Sequence, residues 1–212
     1  MTLTADQSNL ITIAIGLLTA IGFFLLGLTA KRPKLIGGGG GSSSVRVPDK
    51  DVMATHISVR NQPTYWGIKI HREAANITSA RLFDPDLKEV VGPALKWQIA
   101  GTTGLSPTTK IDSGKVANLY VFGKERHADE YFVYDASALD SALSTYLTRY
   151  REPKKHFSII VYDDIGRKHR FDVAVRNSNQ SVSISFKITF RTRLAMIGEG
   201  MGLIIRAFSL RN

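Results

Sequence analysis

A chain of 212 residues with 43% apolar and 22% charged side chains has the composition of one folded domain with appendages, which excludes wholesale disorder. It contains no cysteine, so disulfides, thiolate nucleophiles and cysteine-ligated zinc are excluded. The net charge is +10, and because Asp6 is the only ionisable side chain in the first 30 residues, the remainder carries +11. Such a body is drawn to anionic lipid headgroups or nucleic acid, or is simply a basic solvated surface.

A short tail, 1–9, precedes residues 10–30 (LITIAIGLLTAIGFFLLGLTA), which contain no charge. At about 1.5 Å per residue this run spans about 30 Å, the thickness of a hydrocarbon core, and predicts a transmembrane helix. No basic residue precedes it, which argues for an anchor over a cleavable signal. Lys31, Arg32 and Lys34 follow it directly. Positive residues beside a span stay in the cytoplasm, so the expectation is a single-pass protein of the cell membrane with its large domain inside. Asn76-Ile77-Thr78 and Asn179-Gln180-Ser181 match the glycosylation sequon, which needs the opposite orientation; they are read as chance matches. Thr12, Gly16 and Ala20 recur every four residues, a stripe suited to self-association of the helix.

Residues 31–50 contain the basic flank and then Gly37–Gly41 and Ser42–Ser44, read as a flexible tether. From 51 to 190 the dominant period is two. It is visible in His56–Arg60, in Trp66–His71 and most fully in Val182–Phe190, where apolar and polar side chains alternate throughout. Ala117–Phe122 is almost continuously apolar, as a strand buried on both faces is. Phe157–Tyr162, Lys168–Val175 and Val182–Phe190, joined by short polar loops, predict an antiparallel meander. Ala80–Phe83, Ala94–Gln98 and Tyr131–Tyr134 are weaker strand candidates. One helix interrupts the pattern over Asp135–Arg151, where Leu139, Leu143, Tyr146, Leu147 and Tyr150 share a face and Pro153 ends it. Many short strands without alternating helices predict a mainly β domain, an antiparallel β-sandwich with one inserted helix.

Ile68–Phe83 (IKIHREAANITSARLF), Leu95-Lys96-Trp97 and Thr109–Phe122 (TKIDSGKVANLYVF) follow one another as strand, turn, strand, Leu-x-Trp strand and Ile-Asp-x-Gly strand. In this the chain resembles prokaryotic single-pass membrane proteins carrying an uncharacterised immunoglobulin-like sandwich. The resemblance implies an immunoglobulin-like fold and, since fold does not dictate chemistry, no activity.

The five histidines, His56, His71, His127, His156 and His169, share no zinc-binding spacing, and His56 and His71 are read as surface residues. Asp163-Asp164 is read as a turn holding its own backbone. Gly198–Gly202 lacks the context of a dinucleotide fingerprint. These readings predict no catalysis, metal or cofactor. In the C-terminal segment, 191–212, Leu194, Ile197, Met201, Ile204 and Phe208 recur at helical spacing among Arg191, Arg193, Arg206 and Arg211. Met201, Phe208 and the four arginines, with Lys31, Arg32 and Lys34, are the candidate membrane or partner contacts. A second basic run contains Arg151, Lys154, Lys155, Arg167, Lys168 and Arg170, with Tyr150 and Phe157 interleaved as base-stacking candidates. The leading expectation is a membrane-anchored binding or scaffold module with lipid and protein partners. The alternatives are a subunit of an extracellular filament or viral coat, and a membrane-tethered nucleic-acid-binding protein.

Overall fold

The computed structural model describes residues 5–47, 50–65, 68–69, 71–102, 104–135 and 148–187. Among these described residues one helix, α1 (Ala5–Lys31), is followed by fifteen strands in chain order. These are β1 (Leu35–Val47), β2 (Lys50–Asn61), β3 (Thr64–Tyr65), β4 (Ile68–Lys69), β5 (Ala75–Asp84), β6 (Glu89–Val91), β7 (Lys96–Gln98), β8 (Leu105–Ser106) and β9 (Thr109–Ile111). Then come β10 (Val116–Glu125), β11 (Tyr131–Val133), β12 (Arg149–Tyr150), β13 (Lys154–Asp163), β14 (Lys168–Asn177) and β15 (Val182–Phe186). A seven-stranded sheet runs β1-β2-β10-β11-β12 with β7 and β8 alongside, and a six-stranded sheet runs β15-β14-β13-β5-β6 with β9 on β5. All their pairings are antiparallel, and β3 and β4 pair as a separate two-stranded sheet. The mainly β sandwich expected from the two-residue period is what forms.

The period explains the core. On β14, Phe171, Val173 and Val175 turn inward, and on β13 Phe157, Ile159 and Val161 do the same. They meet Ile57, Val59, Trp97 and Leu119 from the other sheet. Four rings close one end of this core. Phe122 stands edge-on to Tyr131 at 5.4 Å, Tyr131 stacks on Tyr150 at 5.5 Å, and Tyr150 meets the edge of Phe157 at 5.0 Å. Burying four aromatic side chains in mutual contact is worth several kcal/mol, mostly from area removed from water.

The glycine-serine stretch is not a tether. It is β1, paired with β2 from Leu35↔Asn61 to Val47↔Lys50 with one bulge between Gly38 and Gly40. Gly37, Gly40 and Gly41 allow close approach. A Cβ on Gly37 would sit 2.0 Å from Cε1 of Phe186, and one on Gly40 would sit 2.8 Å from the carbonyl oxygen of His56. Bare backbone lets the edge of one sheet lie against β15 at the edge of the other. The domain therefore begins at Leu35, ahead of residue 51.

The helix expected over Asp135–Arg151 lies outside the described residues over 136–147. Its last part is corrected: Arg149–Tyr150 is β12, paired with β11. The expected strand Val182–Phe190 is observed as β15 up to Phe186, and its remaining residues lie outside the described ones. In α1 the described side chains are those of residues 11–22, 27 and 31. Among the described residues no helix is long and apolar enough to cross a membrane. Ile13, Ile15, Leu17 and Leu18 are nonetheless 59–70% exposed, so this helix does not bury them in the sandwich.

Candidate functional site

Helix and sandwich meet without slack. The Glu73 amide donates to the Lys31 carbonyl at 2.7 Å and the Gln62 amide to the Lys34 carbonyl at 2.9 Å. Buried Arg72 donates through Nη1 to the Arg32 carbonyl at 2.8 Å and through Nη2 to that of Thr64 at 3.1 Å. Asn61, fully buried at the end of β2, accepts from the Lys34 amide at 3.2 Å and donates to the carbonyls of Glu73 and Ile111. Charged and amide side chains here satisfy backbone groups that burial would otherwise leave unpaired. The side chains of Lys31, Arg32 and Lys34 remain exposed around this joint. Arg191, Arg193, Met201, Arg206, Phe208 and Arg211 lie outside the described residues.

The second basic run is divided by the fold. Tyr150 and Phe157 are buried in the aromatic cluster and offer no face to a base, which corrects the stacking expectation. Lys155 is mostly buried, its Nζ 3.1 Å from Oδ2 of the fully buried Asp84 and within 3.6 Å of Asp86 and Glu152. Burial alone lowers the lysine pKa, but these carboxylates outweigh it and the net shift is upward. Arg149 and Arg151 both bind Glu130, at 3.3 and 2.6 Å, and hold that carboxyl below its usual range. The three line a cleft of about 300 Å³ with Glu125, Asp129 and Phe132. Both of its guanidinium groups are paired with Glu130.

Among the described residues, basic side chains also collect on the outer face of the six-stranded sheet. Alternation puts Lys154, Ser158, Ile160 and Tyr162 of β13 outward, along with Lys168, Arg170, Asp172 and Arg176 of β14. Register then sets Arg170 and Arg81 on either side of Ile160, and Lys154 directly opposite Arg176. Lys168 lies over the Tyr162 ring at 5.8 Å. Asp172 is the face's single acid in these rows; it accepts from Ser158 at 2.6 Å and from Arg170 at 2.8 Å. Burial raises its pKa, yet these donors prevail and hold it low, so it stays ionised and offsets one of the five cations, leaving the face net positive. Like charges directly opposite on a sheet destabilise it, so Lys154–Arg176 is not explained by folding. Sequence reasoning found Lys168 and Arg170 but not Arg81, since only strand pairing joins it to them.

The other singled-out residues are structural. The Asp163 carboxylate accepts the Arg167 amide at 2.7 Å and lies 3.3 Å from Nε2 of His169, the self-binding turn expected. Asn76 of the first sequon donates to Asp164 at 2.8 Å. His71 is exposed, but His56 is half-buried against Tyr120 and its pKa is lowered by burial, which corrects its reading as a surface residue. Lys124, almost fully buried, donates to Asn177 Oδ1 at 2.6 Å and to the Ser178 carbonyl, tying β10 to the end of β14; burial lowers its pKa. No group of three potential metal ligands converges among the described residues. No family model, no curated protein and no solved structure matches this chain.

Proposed function

We propose that the chain is a membrane-anchored binding module that presents the basic outer face of its six-stranded sheet to an acidic protein partner, without catalysis of its own. The observation carrying this reading is the face itself: Arg81, Lys154, Lys168, Arg170 and Arg176 against the single acid Asp172, with two cations directly opposed. An acidic surface docking there relieves the repulsion as it binds. Anchoring is supported by the uncharged run 10–30 and by apolar side chains exposed along α1. Lys31, Arg32 and Lys34 favour a cytoplasmic domain in a single-pass protein, and the Thr12, Gly16, Ala20 stripe supports pairing of two such helices.

The test is binding of a poly-glutamate probe to the full chain in neutral nanodiscs. Arg81→Glu with Arg170→Glu should abolish binding that Arg126→Glu, at an exposed residue paired with Asp51, leaves largely intact. Equal loss from both substitutions would overturn this assignment of the face. A nucleic-acid probe preferred over poly-glutamate at matched salt would favour the nucleic-acid reading instead.

A further inference from the structure

We propose that the end of the sandwich where α1 enters docks directly on anionic phospholipid headgroups, with the β13–β14 hairpin as its contact element. This rests on the anchoring reading above and adds what the anchored domain does at the bilayer surface.

The joint fixes the end concerned. Lys31 and Lys34 are held to Glu73 and to Gln62 by backbone hydrogen bonds, so the chain passes from helix to sheet within four residues. Three residues beyond Glu73 lies Asn76, whose carbonyl accepts the Asp164 amide at 2.9 Å and whose side chain binds the Asp164 carboxylate. At about 3.3 Å per residue, the hairpin is anchored within about 10 Å of the joint. A headgroup layer is about 5–8 Å deep on each side of the hydrocarbon, so a domain held this closely cannot avoid it.

The chemistry of the hairpin suits that layer. Ile165, at its tip, is 62% exposed and contributes nothing to the core. Gly166, at φ 76°, makes the turn tight, and Asp163 pins its far side through the Arg167 amide. Arg167 and Lys168 follow at once. A single exposed isoleucine is ordinary on a protein surface; its position distinguishes this one. A second apolar–basic pair stands at the same end, for the Lys115 carbonyl accepts the amide of Asn61, and Val116, 55% exposed, pairs with Arg60. Among the acids here, Asp163 is buried in the turn beside His169 and Asp112 lies 3.6 Å from Lys110, while exposed Asp164, held by the Asn76 amide, and exposed Glu73 keep their charge against Lys31, Arg32, Lys34, Arg60, Lys115, Arg167 and Lys168. Basic groups near an anionic surface each contribute about fivefold to its occupancy, and apolar tips add a part that salt does not screen.

Because the chain has no cysteine, one can be placed at will. The full chain is reconstituted in vesicles of neutral lipid with or without anionic phosphatidylglycerol, bearing an environment-sensitive dye at Ile165→Cys. A second sample carries the dye at Asn179→Cys, beside the opposite end of β14. The expected result is dye at 165, but not at 179, reached by a headgroup quencher, with the effect strongest in anionic vesicles. Arg167→Ser with Lys115→Ser should lower the docked-to-undocked ratio on the order of 25-fold. If the chain stays in carbonate-washed vesicles while 165 is quenched no more than 179, docking is overturned and anchoring stands. If the chain is stripped from the vesicles, the anchoring reading itself fails. Equal quenching in neutral and anionic vesicles would overturn the headgroup charge as its basis.

Discussion

Replacing Gly37 by alanine should destabilise the sandwich, although alanine normally suits a strand better than glycine. The new Cβ would fall 2.0 Å from Cε1 and 2.5 Å from Cδ1 and Cζ of Phe186. Carbon atoms rest about 3.5–4.0 Å apart, so the ring must retreat by about 1.5 Å or more. Phe186 is half-buried, packs on the core and meets the edge of Phe171 at 6.3 Å, which leaves its ring little room. Overpacking of this kind costs about 1–3 kcal/mol, while lost freedom of the unfolded chain returns about 0.4–1 kcal/mol. The net expectation is about 1–2 kcal/mol of lost stability, or a urea midpoint lowered by about 0.5–1 M at a slope of about 2 kcal/mol per molar. The assay is urea unfolding of the full chain in micelles, followed by tryptophan emission, to which the fully buried Trp97 contributes. Gly39→Ala is the control, because nothing lies within 4 Å of its Cβ. Adding Phe186→Ala to Gly37→Ala should show coupling above about 0.5 kcal/mol, since the two positions touch. If Gly37→Ala and Gly39→Ala behave alike, the close approach of β1 and β15 is refuted and the tract is a tether after all.

Two further outcomes are expected from the buried polar groups. Lys155→Met should cost about 3 kcal/mol or more by urea unfolding, because it leaves fully buried Asp84 without its counter-ion; adding Asp84→Asn should recover much of that loss, and strictly additive effects would show that the pair is not coupled. Stability should also fall steeply above about pH 10. Burial first, and then nearby carboxylates, push the Tyr131 and Tyr150 hydroxyls well above the ordinary value of 10.0, so the unfolded chain ionises there before the folded one does. The stabilisation is whole below pH 10 and is lost as pH rises from there; raised Lys155 acts with the same sign over the same range. Tyr131→Phe and Tyr150→Phe should flatten this decline, and phenolate absorbance that rises well before unfolding would contradict the assignment.

Much of the sandwich was legible because alternation is a local property. β13, β14 and β15 could be read strand by strand from Phe157, Phe171 and Ile184, each recurring in step with its apolar neighbours every second residue. The self-binding turn at Asp163 was legible for the same reason, its donor lying four residues away. The uncharged run 10–30 and the basic residues after it are likewise properties of the sequence alone. The glycine tract was not legible. A strand without side chains has no period, and what makes it a strand is Phe186, His56 and a partner sheet edge that only folding brings to it. Nor could charge counting tell Lys155, sealed against Asp84, from Lys168, open on the sheet face, since both lie in one basic run. The face that groups Arg81 with Arg170, and the joint in which Arg72 and Asn61 grip the helix exit, exist because strand register and buried hydrogen bonds join segments distant along the chain. Periodicity decides which way a side chain points, whereas its neighbours are decided by pairing, and the candidate surfaces depend on the neighbours.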